Sequence, residues 1–492
     1  MDEKRCQAFV WKRRNEMFDV IVIGGGVIGG AILRELTKYK CDVCLLEKEN
    51  DVCMGQSKAN SGIVHAGFDA AEGTLKARFN VRGNELMPAY AEELGVKYRK
   101  NGSLVVAFSD GELGTLMKLK ERGERNGVKG LELVSREKLK ELEPNLSDRV
   151  SGGLLAPTGG IVCPYSLTIA EIGNAMDNGA QLFCNFDVVA AEKSEEGFVV
   201  KAKDGREVKG RVAVNCAGLG AGKISALFGD DSVKIGGRKG EYLLIDRENG
   251  DFVSHTLFFT PTEKGKGVLI SPTADGNLLL GPTAEEVRDG STATSAQGLD
   301  AVTSKAAEMC KGIPFRNVIT SFAGVRAYSE THDFVIGESA KTENLIQCAG
   351  IESPGLTSAP AIAEYVVGNL LVGKLRLETN LRFDGRRSPD HFFKDLPAER
   401  QNELIRKDPA YGKIVCRCEQ ITEGEIVRAI RANPPARDVD AVKRRTRAGM
   451  GRCQGGFCQP HVAELIAREL NIPLTAVTKC GPGSELLTGV SK

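Results

Sequence analysis

Two sets of residues in this chain have types and spacings that do chemistry. The first is a quartet of cysteines, Cys416-Arg417-Cys418 and then Cys453-Gln454-Gly455-Gly456-Phe457-Cys458. Thiolates are soft ligands, and four of them in two close pairs form a tetradentate site. Two irons bridged by sulfide need four such ligands. A structural zinc accepts the same four, and free thiols are the plain alternative. The second set is Gly24-Gly25-Gly26-Val27-Ile28-Gly29, which fits G-x-G-x-x-G. In that pattern Gly24 permits a tight turn, Gly26 lets the backbone approach a pyrophosphate, and Gly29 lets a helix pack closely on a strand. The N-terminus of such a helix offers free N–H groups and partial positive charge to phosphates.

The glycines carry this meaning only between a strand and a helix. Both are expected here. Asp19 to Gly24 is a short apolar run that reads as a buried parallel strand. A helical pattern follows from Val27 to Tyr39, and Asp42 to Glu47 is the next strand. Together they form a βαβ unit of about 30 residues. Glu47 ends the second strand about 20 residues beyond the glycines, placed to accept hydrogen bonds from ribose hydroxyls. Gly197 to Ala217 reads as a β-meander with turns at Lys203-Asp204-Gly205 and Lys209-Gly210. Glu241 to Asp246, His255 to Thr260, Val268 to Pro272 and Leu278 to Pro282 read as strands of an antiparallel sheet. Leu345 to Gly350 is a last buried strand before the helical stretch Ala359 to Val372. These elements make an α/β chain.

Its units divide as an N-terminal extension over 1–17, a main body over 18–385, a linker rich in Pro, Asp, Lys and Arg over 386–412, a cysteine module over 413–471 and a tail over 472–492. The basic run Lys443, Arg444, Arg445 and Arg447 lies inside the module. It reads as a solvated helix face, as a counter-charge to the thiolates, or as a dock for an acidic partner.

Bulk properties exclude more than they assert. The 492 residues are 41% hydrophobic and 27% charged, and a net charge of +1 gives no global argument for nucleic acid. No run of about 18 apolar residues is present, so no direct membrane span is expected. The first residues lack the apolar core of a secretory signal. Fourteen cysteines in a chain this long do not read as a secreted disulfide framework. The scattered ones, such as Cys41, Cys44, Cys216 and Cys348, read as buried small hydrophobes. A cytoplasmic chain is expected, reaching a membrane only through a partner.

FAD and NAD share the glycine fingerprint. Further segments resemble the FAD-contacting parts of the D-amino-acid oxidase-like flavoproteins over roughly residues 18 to 380: Ser61-Gly62-Ile63-Val64-His65-Ala66-Gly67, Asp187-Val188-Val189, Asn215-Cys216-Ala217-Gly218 and Gly350 to Pro360. The resemblance implies a Rossmann-like FAD-binding domain interleaved with an α+β antiparallel-sheet substrate domain. It implies FAD contacts at Ser61, Gly62, Val188, Ala217, Gly218, Gly355, Leu356 and Thr357. The last three would start a helix whose N–H groups stabilise charge on a reduced flavin.

Phe322-Ala323-Gly324-Val325-Arg326 resembles the segment that carries that family's substrate-anion arginine. Arg326 would hold a carboxylate or phosphate in a bidentate fork. His65 is expected near the flavin, as a base or a positioning group. Lys239 and Lys266 are candidates for extra positive charge at the substrate.

The cysteine spacing resembles the bacterioferritin-associated-ferredoxin-like [2Fe–2S] domain. The resemblance is greatest to cluster-bearing FAD-dependent glycerol-3-phosphate dehydrogenases. It implies oxidation of a small anionic substrate, glycerol 3-phosphate, with electrons leaving to a partner protein or a quinone-linked subunit. A 2-hydroxy acid such as L-2-hydroxyglutarate, or an amino acid, is the alternative substrate. From other classes come a flavoprotein with a zinc-stapled docking module, and an RNA-modifying or scaffold protein.

Overall fold

The computed structural model describes residues 17–261, 267–288, 290–388 and 392–489. Phe18–Ile23 is the strand on which the first sheet is built. Val20, Ile21 and Val22 are fully buried, as befits a β-branched run covered on both faces. It pairs in parallel with Val43–Leu46 on one side and Glu207–Asn215 on the other. Gln181–Phe183 extends the sheet beyond Val43–Leu46. Leu345–Ala349 lies in parallel along the end of Glu207–Asn215, and the antiparallel ribbon Val188–Ser194 and Gly197–Ala202 completes the other edge. The expected meander is therefore an appendage of the parallel sheet, and in place of the turn expected at Lys209-Gly210 the strand Glu207–Asn215 runs on unbroken, with Gly210 paired to Phe198 and Phe18.

The helix Val27–Thr37 buries nearly every side chain. It is sandwiched between the sheet and the helices Pro164–Asp177 and Gly355–Tyr365, within one apolar core. The stretch Gly355–Leu375 is long and apolar enough on average to span a membrane, although polar residues interrupt it. Most of it is buried inside the fold, where Gly355–Tyr365 packs against Leu75–Glu93 as well as Val27–Thr37. Its composition is that of a core helix.

A second, nine-stranded sheet forms the substrate domain. The four strands expected there are present, as Ile235–Ile245, Thr256–Phe259, Leu269–Pro272 and Leu278–Gly281. Ser103–Ala107 and Gly152–Ala156 continue the sheet, the former pairing in parallel with Thr256–Phe259. The long strand Val318–Ser329 pairs along the whole of Ile235–Ile245. The two sheets take strands alternately from the sequence, so the domains are interleaved.

The C-terminal module packs the helices Glu423–Arg431, Val439–Thr446 and Gln459–Leu470 around Ile421, Ile426, Ile430, Val442, Val462 and Ile466. A capping box, Thr422 with Glu425, starts the first of them. The module has wider limits than its sequence pattern suggests. Val477, in the expected tail, is fully buried in its core. The expected linker holds the helix Ala398–Lys407, and Phe393 donates its N–H to Glu425 Oε1 at 2.9 Å.

The basic run is neither a solvated face nor a free dock. Arg444 Nη2 bonds Asp51 Oδ2 at 2.6 Å, and Arg445 forms a fork on the same carboxylate at 2.8 and 2.9 Å. Asp51 belongs to the FAD domain, just beyond Glu47. Burial by itself would raise its carboxyl pKa, but Arg445 and Arg444 outweigh burial and hold it at about 2. Arg447 bonds Glu419 at 3.0 Å within the module and Asp275 at 2.9 Å and Asn277 at 3.0 Å in the substrate domain. Three arginines thus clamp the module to both halves of the main body.

Candidate active site and cysteine centre

A cavity of about 2040 Å³ runs from the glycine turn to the substrate sheet. Gly24 stands at φ +112°, and a Cβ there would lie 2.4 Å from the carbonyl oxygen of Cys216. Only glycine fits that crossing of strand ends. A Cβ on Gly29 would lie 2.0 Å from the Gly24 oxygen, so the helix sits directly on the turn. Gly26 lines the cavity, and Ser57 Oγ accepts the N–H of Val27 at 3.0 Å. Glu47 is buried at the same end, which raises its pKa. Its oxygens accept N–H bonds from Gly25 at 2.7 Å and Glu49 at 2.9 Å. Val188, Ala217 and Gly218 line the cavity beside it.

Ser61, His65, Gly355 and Leu356 line the other end. Thr357 is the staple: its hydroxyl accepts the His65 N–H at 2.9 Å and donates to the Ile63 carbonyl at 3.3 Å. Gly62, at φ +66°, packs against the Val162 carbonyl just behind. Asn80 and Asn84 both donate to the His65 carbonyl at 3.1 Å. The His65 ring lies against Phe258, and its Nε2 is 3.2 Å from Ser353 Oγ.

Arg326 reaches the same cavity from Val318–Ser329. Its Nη2 donates to the Thr283 carbonyl at 3.0 Å, while its buried Nε has no hydrogen-bond partner among the described residues. Asn80 Oδ1 is likewise buried without a partner among them. An orphaned donor and acceptor on one cavity wall fit a polar ligand.

Lys239 lines the cavity, but its ammonium is 3.0 Å from Glu241 and 3.2 Å from Glu285. Its charge is neutralised within the protein, which leaves little for an anion. Lys266 lies outside the described residues.

Residues that no sequence pattern singles out complete this wall. Tyr242 stacks on Phe322 with ring centroids 4.8 Å apart, and burial pushes its phenol up to about 12. Lys76 and Arg238 flank Glu352, at 2.9 and 3.8 Å. No local motif marks any of them; they meet only through strand pairing and helix packing.

The four module cysteines come together as two pairs. Cys418 and Cys453 have sulfurs 3.6 Å apart. Cys416 and Cys458 share the second contact, and the hydrogen bond from the Cys458 thiol, helped by the N–H groups of Gly449 and Glu419, brings Cys416 down to about 6 against the effect of burial. Among the described residues no three His, Cys, Asp or Glu side chains converge on one point. Two pairs suit two irons, each taking two thiolates.

Residues 19–368 match the family model described as FAD dependent oxidoreductase. The chain belongs to the FAD-dependent oxidoreductases. In this oxidoreductase residues 414–468 also match the BFD-like [2Fe-2S] binding domain. The module is an iron–sulfur domain, which overturns the zinc-stapled alternative.

Among curated relatives, the glycerol 3-phosphate dehydrogenase of Caloramator mitchellensis is 48% identical over 97% of this chain and 99% of its own. The glycerol 3-phosphate oxidase of Mycoplasma genitalium is 32% identical over 74% of this chain and 97% of its own. Among solved structures, the dithionite-reduced L-α-glycerophosphate oxidase of Mycoplasma pneumoniae with FAD bound superposes with a TM-score of 0.72 at 30% identity, covering 76% of this chain and 99% of that one. The oxidoreductase holds FAD and a [2Fe–2S] cluster. The glycine cradle, the orphaned atoms and the paired thiols fit those groups.

Proposed function

We propose that this oxidoreductase converts sn-glycerol 3-phosphate to dihydroxyacetone phosphate and passes the electrons through the cluster module to an external acceptor. One observation carries the reading: the likeness to the C. mitchellensis dehydrogenase runs through the flavin body and the cysteine module alike. An oxidase that delivers electrons straight to oxygen has no use for the module, and the M. genitalium oxidase aligns with only 74% of this chain.

FAD, when bound, supplies a two-electron acceptor for the hydride on C2 of the substrate. The chain's own residues do the rest. Arg326 holds the phosphate: it stands on a strand in the cavity wall with Nη2 anchored to the Thr283 carbonyl, which leaves its other terminal N–H groups for an ionic fork. His65 takes the C2 hydroxyl proton at Nε2, with Ser353 Oγ beside that nitrogen and Thr357 fixing the backbone. Phe258 lies beside the imidazole, its ring tilted by 38° at a centroid distance of 6.1 Å. The glycines 24, 26 and 29 with Glu47 bind the adenosine diphosphate half, and Gly355 to Thr357 face the flavin ring. Cys416, Cys418, Cys453 and Cys458 hold the two irons, which take one electron at a time.

Anaerobic bleaching tests the substrate. Oxidised protein is mixed separately with glycerol 3-phosphate, L-2-hydroxyglutarate and amino acids. Rapid loss of the visible flavin band with glycerol 3-phosphate alone is expected. Bleaching by a hydroxy acid in its place overturns the substrate and keeps the architecture.

A further inference from the structure

The inner face of the iron–sulfur module is taken up by the arginine clamp. The loop between Cys453 and Cys458 begins just after Arg452, which bonds Asp246 and Glu248 of the substrate domain. Phe457 in that loop is 82% exposed. Among the described residues no other Phe, Tyr or Trp is so open to water. The ring is rooted at the metal site, because the N–H groups of Phe457 and Gly455 bond the Cys453 sulfur. Gly455 and Gly456 precede it and carry no side chain that would keep another surface away. Of the four ligands, Cys416 and Cys458 are buried while Cys418 and Cys453 are partly open, so the cluster faces water on this side.

The charge here comes from Arg417, since Arg452, beside Cys453, is paired with Asp246 and Glu248. Arg417, between Cys416 and Cys418, is exposed, and it has no ion pair among the described residues. Behind it the buried Glu419 is faced by three cations, Arg447, Lys394 and Arg247, at 3.0, 3.9 and 3.9 Å.

We infer that the Phe457–Arg417 face is the docking site of a one-electron carrier protein with an acidic rim around its own redox centre. The inference rests on the reading that electrons leave through the module. A ring this exposed projects; it lines no slot for a quinone headgroup, whereas a projecting aromatic anchors in a hollow of a protein partner. The positive rim steers an acidic surface toward it. Each glycerol 3-phosphate oxidised releases two electrons and two protons. Two carriers each take one electron at this face, no bond forms or breaks there, and both protons go to solvent.

The test uses full-length protein carrying FAD and cluster, reduced anaerobically with glycerol 3-phosphate and mixed in a stopped flow with an oxidised acidic [2Fe–2S] ferredoxin as the probe. Phe457→Ala and Arg417→Glu each slow ferredoxin reduction by about tenfold or more, in the range of a lost anchor or a lost steering charge. The wild-type rate falls steeply with salt. Phe457→Ala leaves the cluster's visible and EPR spectra and its oxidation by ferricyanide unchanged. Equal ferredoxin rates in wild type and Phe457→Ala, with the cluster reduced, overturn the docking site alone. Rapid reduction of a water-soluble quinone with none of ferredoxin overturns the class of partner. A cluster that stays oxidised while the flavin bleaches overturns the electron relay, and the docking site falls with it.

Discussion

Asp51→Ala removes the carboxylate that bonds two buried guanidiniums. The side chains of Asp51, Arg444 and Arg445 are each no more than 7% exposed, so water does not compensate. The displacement of the Asp51 carboxyl from 3.8 to about 2, at about 1.4 kcal/mol per unit, corresponds to roughly 2–3 kcal/mol net of the cost of burial. Breaking a buried pair and leaving its cations unpaired costs about 3–5 kcal/mol. The two routes meet near 3 kcal/mol, which is roughly a hundredfold in the docked fraction of the module.

Hydrogen exchange followed by mass spectrometry reads this directly. Peptides covering 48–54 and 439–446 exchange about a hundredfold faster in the variant, while the strand Phe18–Ile23 does not change. Asp51→Leu combined with Arg444→Leu and Arg445→Met restores protection, because an apolar contact replaces the ion pairs without their desolvation penalty.

The pH dependence has a definite sign. The folded pKa lies below the unfolded one, so the stabilisation is fully present above 3.8 and is lost as pH falls through about 2. The wild-type clamp therefore holds at pH 5. A change in exchange of less than about fivefold, close to 1 kcal/mol, would refute the reasoning that the clamp docks the module.

Four further outcomes follow from the site. Gly24→Ala purifies without flavin, since its Cβ meets the Cys216 carbonyl at 2.4 Å in a left-handed backbone; the ratio of the visible flavin absorbance to the protein absorbance in the near ultraviolet checks it. His65→Asn keeps FAD affinity and loses roughly 10²–10⁴ in the rate of anaerobic bleaching, and a loss under tenfold removes the base role. Arg326→Lys raises KM for glycerol 3-phosphate by about tenfold or more, as a point charge replaces a fork, with titration of bleaching against substrate as the measure. Cys453→Ser abolishes the iron–sulfur EPR signal and leaves bleaching by substrate intact; simultaneous loss of bleaching would mean that the module supports the flavin site itself.

Local chemistry makes part of this legible in the sequence alone. The glycine turn, the strand before it and Glu47 lie within one βαβ unit, where spacing alone fixes who faces whom. The four cysteines declare themselves by their clustering, but their contacts cross between the two sequence pairs, Cys418 with Cys453 and Cys416 with Cys458. Arg326 and His65 emerge by resemblance, not by pattern; nothing in a lone arginine on a strand distinguishes it from a surface ion pair. The clamp is invisible because Asp51 and Arg444 lie 393 residues apart, and a basic run on a helix looks the same whether it faces water or a carboxylate. Lys239 misleads in the opposite sense: Glu241, two residues on, neutralises it. Val477 reads as tail because a single apolar residue in a polar stretch shows no periodicity, yet the module core closes over it.

The interleaving of the sheets also sets a timetable for synthesis. Phe18–Ile23 leaves the ribosome early but pairs with Glu207–Asn215, whose own neighbour is Leu345–Ala349. Contacts of such long sequence separation form slowly and late. The helix Gly355–Tyr365, whose first residues line the cavity, begins only late in the chain. Translation must therefore pass well over half of the chain before the flavin cradle can close, and until then its apolar strands stay exposed to aggregation and to chaperones. The iron–sulfur module, built almost wholly from consecutive residues after 392, folds in one local step. Limiting riboflavin during expression is expected to leave unfolded chain where limiting iron leaves folded, cluster-free protein.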